Sequence, residues 1–123
     1  MSTILLYISS FFLTAWGIAH LFPTKNVVKG FGAISADNKN IIAMEWINEG
    51  ATLIFLGILV LVITLADPAL AISRLVYQCV FGFLNILSLI SLFTGFRVKF
   101  LPYKLCPIIF TGSSILILLG GII

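Results

Sequence analysis

Charge is what this chain has least of. Only 9% of its 123 residues are Asp, Glu, Lys or Arg, against about 25% in an ordinary soluble domain. With 61% hydrophobic residues and a mean hydropathy of +1.23, that deficit excludes a water-soluble core and points to lipid as the solvent. Acids are the scarcest: Asp37, Glu45, Glu49 and Asp67 are the full set. Histidine occurs once, at His20, so there is no HExxH pair. His20, Glu45 and Glu49 match the ligand count of a catalytic zinc site, but ExxxE on a helix is common and no metal is expected. Cysteine occurs twice. Cys79 and Cys106 fall towards opposite faces of the bilayer, beyond the ~4.4–6.8 Å that a disulfide spans, and read as small apolar residues.

Other absences narrow the function. No nucleophile–base set and no cofactor motif is present, so catalysis is not the first expectation. The start lacks the basic stretch of a signal peptide, and the apolar run from Ile4 to Phe22 is too long for one, so the first segment is expected to be retained. Lipidation motifs are missing as well. A net charge of +3 and a pI near 9.1 would suggest nucleic acid for a soluble protein. Here the basic residues are spread over membrane loops, and no nucleic-acid partner is expected.

What is present is long apolar runs. A helix needs roughly 20 apolar residues to cross the hydrocarbon core. Segments at about 3–22, 41–66, 69–96 and 105–123 qualify, and backbone in lipid must bond within its own helix. The expected fold is an all-α integral membrane protein: one domain of four transmembrane helices in an up-down bundle with short hairpin connections. The first connection, 23–40, reads as a solvated loop with Asp37 capping the second helix. Asp67-Pro68 reads as an N-cap followed by proline at the first position of the third helix. Pro107 is placed to kink the fourth.

Basic residues set the orientation. Lys25, Lys29, Lys39, Arg97, Lys99 and Lys104 flank the first and third connections, and Arg74 alone lies at the other end. Both connections are therefore expected in the cytoplasm of a bacterial inner-membrane protein, with both termini outside. Trp16, Trp46 and Tyr103 suit an interfacial aromatic belt.

Polar residues inside the spans mark candidate sites. Glu45, Asn48, Glu49 and Thr52 share one face of the second helix, with Gly50, Ile54, Gly57 and Leu61 opposite. Such a stripe is expected to face the bundle interior. Glu45 sits at headgroup level and Glu49 about 6 Å deeper. Either the two acids pair with Lys25, Lys29 or Lys104 at the interface, or they form a cytoplasm-facing pocket. His20 lies at the same depth on the first helix, within reach of a His–Glu contact. On the third helix, Asn85 is near mid-membrane. It either bonds another helix or lines a cavity continuous with Glu49. Gly112, Ser113, Gly120 and Gly121 let the fourth helix approach its neighbours closely. Phe11, Phe12, Phe55, Phe83 and Phe110 read as lipid-facing or packing residues.

Four spans, short connections and the stretch Ala15-Trp16-Gly17-Ile18-Ala19-His20-Leu21 resemble the DoxX-like group of small bacterial membrane proteins. The resemblance implies a four-helix bundle associated with redox or quinone-linked membrane complexes, and it assigns no functional residue. The chain is also similar in length to the small multidrug transporters, but their working carboxylate lies in the first helix, which here has no acid. The expected function is a non-catalytic accessory or scaffold subunit that binds a lipid or quinone. The alternative is a transporter or membrane enzyme acting through His20, Glu45 and Glu49, with Asn48, Asn85, Trp16 and Trp46 around them. Membrane lipids, other membrane subunits or a second copy are the expected partners.

Overall fold

The computed structural model describes residues 2–123. Its helices are α1 (Thr3–Leu21), α2 (Thr24–Gly30), α3 (Ala36–Ala66), α4 (Ala71–Gly95) and α5 (Leu101–Ile117), the last running on through a π-helical turn at Leu118–Ile122. Helices α1, α3, α4 and extended α5 are each long and apolar enough to span a membrane. The protein is an all-α integral membrane protein, and no strand occurs among the described residues.

Helix ends differ from the sequence expectations at three places, one being α5, which starts at Leu101 rather than near 105. Ser35, not Asp37, caps α3: its Oγ accepts from the Asn38 backbone N–H at 3.1 Å. Asp37 lies inside the first turn, where its charge still opposes the positive end of the helix dipole. The earlier start makes α3 31 residues long, about 46 Å. That exceeds the roughly 30 Å hydrocarbon thickness, so its first turns stand outside it. At the other end, Asp67 closes α3 rather than opening α4. Its Oδ1 accepts from the Ala69 N–H at 2.8 Å and its carbonyl from Ser73 Oγ at 2.6 Å. These two bonds hold the turn and delay the start of α4 to Ala71. The first connection is not all loop either. Residues 24–30 form α2, tied back by Thr24 Oγ1 donating to the Leu21 carbonyl at 2.6 Å. Just beyond α2, Gly32 takes a φ of +75° that glycine adopts without strain.

The packing follows small and polar residues rather than chain order. α1 packs along α3, α4 along α5, and α1 also against α5. On α3 the buried residues Trp46, Gly50, Leu53, Gly57, Val60 and Thr64 recur every three or four positions. They meet a matching run on α1: Leu6, Ser10, Leu13, Gly17 and His20. A Cβ added at Gly17 would stand 2.7 Å from the Gly50 carbonyl, so the two backbones touch, as small residues allow in lipid. Ser10 Oγ donates to the Gly57 carbonyl at 2.7 Å inside this seam.

On the other side, Ser88 Oγ donates to the Pro107 carbonyl at 3.2 Å and bonds Thr111 Oγ1 at 2.6 Å, joining α4 to α5. Pro107 has no N–H for the Tyr103 carbonyl four residues earlier. Gly95 of α4 packs directly on that carbonyl, where an added Cβ would lie 2.7 Å from it. Phe110 is fully buried in the bundle, whereas Phe11, Phe12 and Phe55 are exposed on its outer surface and Phe83 is exposed on the side of α4 that faces α3.

Consecutive helices α3 and α4 make little contact. They meet near their shared turn, where Thr64 Oγ1 and Tyr77 Oη lie 3.0 Å apart. Towards the other end a groove separates them. The expected tight hairpin is therefore confined to its apex, because the buried face of α3 is committed to α1.

Candidate functional site

The groove between α3 and α4 encloses about 530 Å³ at the lysine-rich end of the bundle. One wall is the polar stripe of α3: Glu45, Asn48, Glu49 and Thr52. The facing wall is Phe83, Leu87, Ile90, Ser91 and Thr94 of α4. Trp46, Tyr103 and Cys106 also line it, and Val27 and Phe31 bring in α2 and the segment after it. A second cavity of about 480 Å³ shares Val27, Phe31 and Tyr103, so α2 and the Phe100–Tyr103 turn form a common roof. The volume falls within the roughly 300–1,000 Å³ of small-molecule sites.

The polar stripe does not enter the packed interior. It borders the α1–α3 seam about a quarter-turn away, because Trp46, Leu53 and Gly57 occupy the inward arc. Glu45 and Asn48 are exposed, while Glu49 and Thr52 are partly covered. Counting about 20 residues back from Ala66 puts the hydrocarbon edge near Ile47, with Glu45 outside and Glu49 just within. Glu45 makes no ion pair among the described residues, and neither acid pairs with Lys25, Lys29 or Lys104. Thr52 Oγ1 donates to the Asn48 carbonyl at 2.7 Å on its own helix.

Behind this wall stands His20. It is 7% exposed, and its Nε2 lies 3.4 Å from Glu49 Oε2. The contact lacks hydrogen-bond alignment, and Nε2 has no hydrogen-bond partner. The imidazole stacks on Trp46, with ring centroids 3.9 Å apart at 16°. The Trp46 indole N–H donates to the His20 carbonyl at 2.6 Å, and its ring meets Tyr103 edge-on at 5.5 Å. Trp46 is thus a buried link between α1, α3 and α5 rather than a member of an interfacial belt. Its spacing to Gly50, Leu53 and Gly57 was the sequence signal for that inward position.

The remaining candidates separate into two groups. Trp16 lies behind the groove beside the Cys106 thiol, its indole N–H buried without a hydrogen-bond partner. Asn85 is outside the groove: its Nδ2 donates to the Phe81 carbonyl at 2.7 Å on its own helix. That bond stays within α4, so Asn85 does not tie α4 to a neighbouring helix. Cys79 and Cys106 are both free.

Among the described residues no three His, Cys, Asp or Glu side chains converge closely enough to hold a metal ion. Ser91 and Thr94 were not singled out from sequence, and Tyr103 was read only as an interfacial aromatic. Their common feature is position at the lysine-rich ends of α4 and α5, which only matters once those ends meet α3. No family model, no curated protein and no solved structure matches the chain.

Proposed function

We propose that this protein is a small, non-catalytic membrane subunit that holds an amphiphile, a lipid or quinone, in the α3–α4 groove. The observation that carries the reading is the composition of that groove. Its polar members Glu45, Asn48 and Glu49 cluster at the lysine-rich end, and Phe83, Leu87 and Ile90 line the facing wall along α4. A ligand that is polar at one end and apolar along its length fits such a gradient. The excess of Lys and Arg around the first and third connections supports a cytoplasmic groove mouth in a bacterial inner membrane. The DoxX-like resemblance points the same way, towards service in a larger membrane complex.

A second reading is a transporter or membrane enzyme in which His20 and Glu49 handle a proton. It is favoured by one observation: a buried imidazole beside a half-exposed carboxylate on the groove wall. Native mass spectrometry after gentle extraction tests both. A lipid-sized or quinone-sized mass travelling with the chain, alone or with larger subunits, is the expected result. A bare chain in every charge state, from several lipid backgrounds, removes the ligand-holding proposal.

A further inference from the structure

The groove carries negative charge and no positive charge. Its charged members are Glu45 and Glu49, and no Lys or Arg lines it. That is unexpected from the local composition, because six of the chain's seven basic residues lie at this end of the bundle. All six side chains project elsewhere, and none comes within 4.0 Å of either glutamate.

Glu49 is the critical group. A carboxylate just inside the hydrocarbon edge is unfavourable unless a positive charge or donors offset it. Its one ionic neighbour is His20, at 3.4 Å and out of hydrogen-bond alignment, with Nε2 otherwise unpartnered although the residue is 7% exposed. The carboxylate thus keeps lone pairs for a donor arriving through the groove. The aromatic rings of Trp46 and Tyr103 line the same space, and aromatic rings attract cations.

We propose that the groove takes an amphiphile with a cationic headgroup, an alkylammonium or aminolipid, with Glu49 as its counter-ion and the Phe83–Leu87–Ile90 wall against its chain. This rests on the amphiphile reading above and selects a charged lipid over a neutral quinone. Glu45, farther out and exposed, attracts the headgroup on approach, and Glu49 holds it.

Tryptophan fluorescence supplies the test, since Trp46 lines the groove and Trp16 lies directly behind it. The protein in nanodiscs of neutral lipid is titrated with a brominated primary alkylammonium and, separately, with the brominated alkyl sulfate of equal chain length. Saturable quenching is expected from the cation, at least about tenfold tighter than from the anion, which corresponds to ~1.4 kcal/mol. Glu49→Gln is expected to remove that preference. Asp37→Asn, which deletes one negative charge outside the groove, is expected to leave it intact. Equal saturable quenching by both amphiphiles overturns the cationic assignment and leaves the groove reading standing. Quenching that never saturates with either overturns the groove reading itself. An equal loss in Asp37→Asn and Glu49→Gln assigns the preference to surface potential and also overturns the proposal. If Glu49→Gln does not fold, the wild-type comparison of cation with anion together with Asp37→Asn decides the matter, since loss of the preference in Asp37→Asn overturns the proposal.

Discussion

Two neighbouring faces of α3 meet their surroundings in opposite ways. On one, Gly50 and Gly57 let α1 come to backbone contact, and the hydroxyl of Ser10 closes on the Gly57 carbonyl. On the other, Glu45, Asn48, Glu49 and Thr52 stand off from α4 and leave about 530 Å³ between the helices. Lipid gives no hydrophobic drive for helices to associate, so close fit and interhelical hydrogen bonds decide which faces join. The glycine face supplies both. The acidic face supplies neither towards α4, whose facing residues are Phe, Leu and Ile along most of their length. A single helix can therefore anchor the bundle and border a cavity without any change in its own regularity. Trp46 sits on the border between the two, bonded to His20 on the packed side and lining the groove on the other.

The contrast can be broken most strongly at the packed face. Gly57→Leu would drive a side chain into the Ser10 carbonyl and Thr14 N–H, each 2.8 Å from a mere Cβ. A loss of about 3 kcal/mol or more is expected, at the upper end of overpacking costs, read as a shifted midpoint in dodecyl-sulfate unfolding. Gly112→Leu is the matched control, because nothing lies within 4 Å of a Cβ there. An equal loss at both positions would show that added bulk on any helix face, not the close seam, sets the cost.

Filling the groove should do the reverse. Leu87→Trp adds bulk to a wall that faces open space. Stability is expected to change by less than about 1 kcal/mol, while amphiphile affinity falls at least about tenfold. Retained affinity with the groove filled would place the ligand elsewhere. The smallest effect is expected at the apex. Tyr77→Phe removes the partner of Thr64 Oγ1. That hydroxyl also donates to the Val60 carbonyl at 2.6 Å and stays satisfied. A cost of about 0.6 kcal/mol, the usual size of an interhelical bond in membranes, should appear in the same unfolding assay. A cost several times larger would mean that the apex bond also holds the groove open.

Much of the architecture was legible in the sequence because its causes are local. Apolar run length and the obligation to bond backbone within the helix determine four spans. Helical periodicity places Glu45, Asn48, Glu49 and Thr52 on one face without knowledge of any neighbour. His20 could be set at the depth of Glu49 by counting residues along two spans.

Tertiary structure decided the rest. It chose α1 over α4 as the close partner of α3 and turned Trp46 inward. It bonded Asn85 to its own helix and brought Tyr103, Ser91 and Thr94 to the groove. Two apolar faces look alike to lipid, and hydropathy carries no record of which one a neighbour will cover. That choice depends on how closely two backbones can approach. Approach is a property of pairs of helices: of Gly17 with Gly50, and of Gly95 with the carbonyl that Pro107 leaves free.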